Sequence, residues 1–287
     1  MLEIVKAGVL DTIQDLGRYG FQDIGVNPNG AMDQSSSKLA NLILGNSTNL
    51  ALLEIHFPAP TIKFHTNTII CLTGANFTPC LNNEPISLNQ CILIEQGAKL
   101  SFNKPLNGRT CYLGIKNGFD LPLILNSRST NLSAQFGGFN GRSLKKGDLI
   151  PYFSSKIISL VPQSFSFNRM PNINVTETIK VITEWEWSEL DAENKHLFLS
   201  QEYSLAPQSN RMGFYGIGNP IFRKTNTELI SYPQTKGLIQ LLPSGKLLIL
   251  MADHPTTGGY PRLGLIEPES VDFFSQMEAN QHWKFVL

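Results

Sequence analysis

Short apolar and β-branched runs recur along the chain between turn-forming residues, at Thr68–Leu72, Cys91–Glu95, Thr110–Ile115, Ile157–Val161, Thr178–Thr183, Leu238–Leu242 and Leu247–Met251. Runs of this length bounded by Gly, Pro, Asn and Ser predict strands of an antiparallel sheet or barrel. Helical spacing is confined to three places. Asp33, followed by Ser35, Ser36 and Ser37, caps a stretch in which Leu39, Leu42 and Ile43 share one face, and Gly45-Asn46 stops it. Ser188, with Asp191 three residues on, is expected to open a second helix reaching about Leu199. A third starts near Pro268 and places Val271, Phe274 and Met277 on one side. So few helices among roughly a dozen strands exclude a doubly wound α/β fold and predict a mostly β architecture.

The best internal boundary is Ser154–Asn174, where Pro162, Pro171, Ser and Asn interrupt the periodicity. We expect residues 1–287 to form one domain-sized body with two β lobes and a crossover near 154–174. At 287 residues the chain can bury a real core.

Charge changes this picture little. Acidic and basic side chains cancel at 23 each, so nothing electrostatic points to nucleic acid or an anionic membrane. Cys71, Cys80, Cys91 and Cys111 contain no C-x-x-C pair and sit in or beside apolar runs, as reduced core cysteines do. Met1–Lys6 lacks the apolar region of a signal peptide, and no run approaches a membrane span. The expectation is a soluble cytoplasmic protein without a bound metal.

Candidate chemistry falls in four clusters. Asp11–Gly20 and Gly25–Asp33 are glycine-dense loops in which backbone amides approach something, or simply turns of a β protein. Arg18 there can grip a carboxylate through two parallel hydrogen bonds, or pair structurally with Asp15 or Asp33. Ser127, Ser129 and Thr130 flank Arg128 as a candidate anion pocket, with Gly137-Gly138 a close-approach turn. Arg211 lies in Ser209-Asn210-Arg211-Met212-Gly213. The strand Leu247–Met251 runs directly into Asp253, His254, Thr256, Thr257, Gly258, Gly259 and Arg262. His254 is suited to general acid–base work, or is a packed, hydrogen-bonded histidine. Asp253, its sequence neighbour, faces the opposite way along a strand and need not orient it. No G-x-x-x-x-G-K-[ST] loop, G-x-S-x-G elbow, H-E-x-x-H motif or zinc spacing occurs.

Taken in order, these segments resemble the allophanate hydrolase subunit 2 family, also called the biotin-dependent carboxyltransferase A/B family. The likeness runs nearly end to end, through Thr12–Arg18, Asn29–Asp33, Ser127–Thr130, Phe136–Gly138, Ser209–Gly213, Gly237–Gln240 and Pro243–Gly245. Its most specific stretch is Ala252–Pro261.

The resemblance implies a cyclophilin-like β-barrel fold. It also implies one component of an ATP-dependent 5-oxoprolinase, working with two partners, one KipI-like and one LamB/YcsF-like. No cofactor is bound covalently, and the complex uses ATP with Mg. On that basis Arg211, Gln240, Thr256 and the Gly258-Gly259 amides are candidate donors to developing charge, with Thr257 beside them. Arg18, Arg128 with Ser129, and Arg262 compete for the substrate carboxylate, and His254 handles protons. The alternatives are a carboxyltransferase component that acts on urea or a related amide, and a KipA-like regulatory protein binding a KipI-like kinase inhibitor.

The chain departs from the family pattern at Thr183–Trp187, where relatives read Gly-Pro-Gln or similar. Trp185 and Trp187 there are a candidate partner surface. Asn126 and Asn117 replace common glycines, and Asn tolerates positive φ better than other side chains.

Overall fold

Alternation within single strands explains why several runs are apolar throughout. In the computed structural model, which describes residues 1–153, 170–172, 174–225, 229–279 and 281–287, these strands are buried on both faces. The expected strand Ile157–Val161 and most of the expected boundary at 154–174 lie outside the described residues. The chain divides into two compact units, Met1–Arg18 with Asn29–Met170, and Tyr19–Pro28 with Pro171–Leu287.

The first unit contains β1 (Leu2–Lys6), β2 (Thr12–Gln14), α1 (Gln34–Ile43), β3 (Leu52–His56), β4 (Thr61–Phe64), β5 (Thr68–Asn76), β6 (Pro79–Leu81), β7 (Glu84–Pro85), β8 (Ile92–Ile94), β9 (Lys99–Phe102), β10 (Asn107–Ile115) and β11 (Leu149–Ile150). Two sheets form, ordered β11-β1-β4-β9-β6-β7 and β2-β3-β10-β5-β8. Leu2, Ile4, Ile62, Phe64 and Leu100 of the first share one core with Ile13, Leu53, Ile55, Ile70, Leu72, Leu113 and Ile115 of the second. The alternate residues Leu52, Ile69, Cys71 and Tyr112 turn the other way and pack with Ala40 and Ile43 of α1. Gly114 on that face leaves room for the helix: a Cβ there would lie 2.9 Å from Leu44 and 3.2 Å from Leu52. Asp33 caps α1 as expected, its carboxylate accepting from Ser36 N at 2.8 Å.

The second unit contains β12 (Glu177–Thr183), α2 (Ala192–Ser200), β13 (Tyr203–Leu205), β14 (Gly213–Ile217), β15 (Tyr232–Pro233), β16 (Leu238–Leu241), β17 (Leu247–Leu250), β18 (Thr257–Gly258), β19 (Arg262–Ile266), α3 (Pro268–Ser275) and β20 (His282–Val286). Seven strands close into a barrel, β12-β19-β16-β17-β14-β13-β20, with β12 and β20 parallel at the seam. Strands β15 and β18 form a separate ribbon. Along β20, Trp283 and Phe285 are fully buried, while the alternate His282 is exposed and Lys284 part-exposed. These two rings join an aromatic core: Phe198 stacks on Phe285 at 4.9 Å, Tyr203 lies 5.9 Å from Trp283, and Phe274 of α3 meets Trp283 at 5.1 Å.

The mostly β expectation therefore holds, with three short α-helices and a closed barrel among the described residues. One helix start is corrected. Helix α2 opens at Asp191, which accepts from Asn194 N at 2.8 Å, and not at Ser188. Ser188 lies in a 3₁₀ turn, Trp185–Glu189, and its hydroxyl donates to Trp185 O at 3.0 Å. No helix among the described residues is long and apolar enough to cross a membrane.

Candidate functional site

The stretch around Asp15 and Arg18 closes on the first unit's own groups. The Asp15 carboxylate accepts from the hydroxyls of Ser127 (2.7 Å) and Ser129 (2.6 Å) and from the amides of Arg128 (2.6 Å) and Gly17 (2.8 Å). The anion that the serine cluster holds is thus the chain's own Asp15. Arg18 is 1% exposed. Its guanidinium donates to Asn29 Oδ1 (2.7 Å) and Ser129 O (2.6 Å) and lies 4.6 Å over the Phe136 ring. This geometry gives the Arg18 and Ser129 donors to the protein itself. Arg128 is half-buried, with Nε on Leu121 O at 2.7 Å. Where Asn126 and Asn117 stand for glycine, φ is +61° and +67°, the left-handed conformation that Asn tolerates.

The remaining candidates belong to the second unit. Strands β14 and β17 pair through Gly213 and Leu250, and the ladder continues as Met251 N donates to Met212 O and Asp253 N to Arg211 O. That continuation sets Arg211 opposite Asp253. Arg211 Nε reaches Asp253 Oδ2 at 2.9 Å and Nη2 reaches Oδ1 at 3.0 Å, with the two residues 5% and 9% exposed.

His254 follows, 4% exposed. Its Nδ1 lies 2.8 Å from Pro255 O, a carbonyl that only accepts, so Nδ1 carries the proton. Nε2 is then an acceptor, and has no hydrogen-bond partner among the described residues. Burial pulls the imidazole below its usual 6.5 and Lys236 adds to this, against the opposing effects of Pro255 O and Asp253. The ring is neutral at pH 7. A backbone carbonyl orients it, while Asp253 serves Arg211. Asn27 fixes the loop from the side, its amide donating to His254 O at 2.6 Å and Asp253 O at 3.2 Å.

Gln240 is the third element. It lies on β16 opposite Arg262, where the register with β19 shifts by a bulge. Its Nε2 donates to Gln234 Oε1 at 2.8 Å, and Gln234 Nε2 donates to Tyr232 O (2.8 Å) and Gly258 O (3.0 Å). Gln234 N also donates to Thr256 O at 2.9 Å, which ties this amide pair to the His254 loop. Arg262 stacks 4.3 Å over Tyr232 and gives Nε and Nη2 to Glu186 at 3.0 and 3.1 Å. Burial pushes the Glu186 carboxyl up, but Arg262 outweighs it and holds the group below its ordinary range. Thr257 is exposed, and Thr256, Gly258 and Gly259 are partly so.

A neutral histidine with an open acceptor nitrogen, in a loop anchored by a buried Arg–Asp pair, can take up a proton. The carboxyltransferase domain, subdomain A and B, matches residues 24–287. The chain belongs to this carboxyltransferase family. It is 34% identical over 286 residues to the C-type subunit of 5-oxoprolinase from Escherichia coli strain K12, covering 100% of this chain and 91% of that protein. The same-named protein of Haemophilus influenzae is 30% identical, over 99% of this chain and 90% of its own length. The solved Kluyveromyces lactis urea carboxylase superposes with a TM-score of 0.90 at 27% identity, covering 99% of this chain and 27% of that one.

The parts that Gln234, Asn27 and Glu186 play in this carboxyltransferase domain are not legible in its sequence. Gln234 follows Tyr232-Pro233 in an apparent turn, and Asn27 sits far from residue 254 in the chain, so no local signal tied either to the site. Glu186 falls in the divergent Trp185–Trp187 stretch, where Trp185 is 79% exposed and Trp187 packs edge-on against Phe198 at 5.2 Å. A cavity of about 500 Å³ in this unit is lined by Phe222, Arg223, Leu241, Gly259, Tyr260 and neighbours, and touches only Gly259 of the candidates. Among the described residues no group of three or more His, Cys, Asp or Glu is placed to hold a metal.

Proposed function

We propose that this chain is one component of an ATP-dependent 5-oxoprolinase and helps open 5-oxoproline to L-glutamate, working with a KipI-like partner and a LamB/YcsF-like partner. The observation that carries this reading is the length of the likeness: the C-type subunits of two bacterial 5-oxoprolinases align with essentially the whole chain over nine-tenths of their own length. The geometry fits the chemistry. Opening a lactam needs water to lose a proton as it attacks the carbonyl carbon, and the neutral His254 with an open Nε2 is an acceptor for that proton. A lactam is a stable amide, so ATP, with Mg, is needed by the complex to activate its oxygen.

The test is glutamate release from 5-oxoproline and ATP by this chain alone, by the two partners alone, and by all three. Release only in the full mixture is the expected result. Three proteins that bind one another but release nothing would sink the proposal. The likeness to urea carboxylase supports a second reading, carboxyl transfer to urea or a related amide. A requirement for biotin and bicarbonate would favour it.

A further inference from the structure

Gln234 sits at the turn between the β15–β18 ribbon and β16, with its side chain closed to solvent except for 8%. The two atoms facing its amide nitrogen, Tyr232 O at 2.8 Å and Gly258 O at 3.0 Å, are carbonyl oxygens and can only accept. The group facing them is therefore the NH2, and both of its hydrogens are committed. Its oxygen then faces Gln240, 2.8 Å from that residue's Nε2. An oxygen in that place fixes the second amide as well, with nitrogen toward Gln234 and Oε1 turned away. Gln240 Oε1 has no hydrogen-bond partner among the described residues, although the residue is only 3% exposed. His254 Nε2 is likewise an acceptor without a hydrogen-bond partner among the described residues.

We infer that Gln234 is a positioning residue that holds Gln240 with its carbonyl oxygen free, and that the site thereby selects ligands carrying an amide N–H. This rests on the 5-oxoproline reading only for the choice of first ligand. A nearly buried acceptor left without a donor is penalised more heavily than an absent hydrogen bond is missed in water. Replacing a ligand N–H by an isosteric oxygen therefore weakens binding by roughly 10- to 100-fold. The carbonyls of Tyr232 and Gly258 are what impose this orientation, so removing the amide of Gln234 releases it.

The experiment is calorimetric titration of the full chain, alone and with its partner proteins, with two isosteric pairs: 5-oxoproline against its ring-oxygen lactone, and ethyleneurea against ethylene carbonate. The wild-type chain is expected to prefer the N–H member of each pair it binds, and Gln234→Leu is expected to bring that ratio near one. A merely structural loss weakens both members together and leaves the ratio alone. Equal binding of lactam and lactone by the wild type overturns the inference, as does an unchanged ratio in Gln234→Leu. Should that variant not fold, Gln240→Met serves, and an unchanged ratio there overturns the inference equally. Preference within the ethyleneurea pair, with 5-oxoproline not bound, supports the N–H rule and overturns the 5-oxoproline reading. Binding of none of the four compounds overturns both.

Discussion

Arg211 and Asp253 meet through two parallel hydrogen bonds, Nε to Oδ2 at 2.9 Å and Nη2 to Oδ1 at 3.0 Å, with both side chains nearly closed to solvent. They are joined a second time through the main chain, Asp253 N donating to Arg211 O at 2.8 Å. The pair thus anchors the start of the loop that carries His254. Removing one partner of such a pair leaves a desolvated charge behind, and the usual cost is about 3–5 kcal/mol. Arg211→Ala is expected to lose stability of that order in denaturant unfolding, and Arg211→Lys to recover only part, because an ammonium cannot match the two-point geometry. A loss below about 1 kcal/mol would mark the pair as solvated and incidental.

His254 gives a pH dependence whose sign follows from its environment. Burial holds its folded pKa below 6.5, so between about 6.5 and the lower folded value the unfolded chain binds the proton and the folded chain does not. Stability from this group is full above about pH 6.5 and is lost as pH falls below it. Unfolding free energies of the wild type and His254→Gln are expected to converge as pH is lowered from 7.5 to 5. A difference constant over that range would mean that His254 titrates normally. The same reading predicts an Nδ1–H tautomer, visible in imidazole nitrogen spectra, and a turnover loss of roughly 10²–10⁴ for His254→Ala in the assembled complex.

Much of this was legible in the sequence. The strands at Thr68–Leu72, Thr110–Ile115, Thr178–Thr183 and Leu238–Leu242 lie where their apolar runs put them, because a short apolar run bounded by turn residues is a local signal. The cap at Asp33 and the first-turn proline Pro268 of α3 were equally local. Ser188 misled because a hydroxyl can cap a helix or close a 3₁₀ turn, and the choice depends on what the Trp185–Glu189 turn packs against. The arginines show the limit more sharply. Arg18, Arg211 and Arg262 look alike as carboxylate binders in sequence, yet Asn29, Asp253 and Glu186 take up their donors. Those partners lie 11, 42 and 76 residues away, and only the fold brings the last two together. The Gln234–Gln240 orientation depends on two carbonyls that any residues can supply, which leaves no trace in residue type.

Gly137 packs where a side chain has no room. Its φ is +73°, and a Cβ there would fall onto Ser129 O and within 2.8 Å of Arg18 Nη2. Gly137→Ala then combines left-handed strain with displacement of the Arg18–Ser129 hydrogen bond. The expected cost is about 3 kcal/mol or more, read as a lower denaturation midpoint. Gly147→Ala is the control, since φ there is +89° but nothing lies within 4 Å of the added carbon. Its cost is the backbone strain alone, about 1–2 kcal/mol. Equal losses at the two positions would show that the Ser129 contact yields freely.

Asp11 carries the opposite sign to His254. It is 1% exposed, with Oδ2 accepting from Gly8 N at 2.8 Å and Oδ1 buried with no partner. Burial raises its carboxyl to about 7, more than the Gly8 amide lowers it. Between about pH 4 and 7 the folded chain holds this proton and the unfolded chain releases it, so stability falls as pH rises and the penalty is complete above 7. Asparagine keeps an oxygen for Gly8 N and never ionises. Asp11→Asn is therefore expected to gain on the order of 2–4 kcal/mol at pH 8 and almost nothing at pH 4. The two unfolding curves decide between causes: a gain equal at both pH values would come from packing, whereas a gain confined to high pH comes from the buried charge.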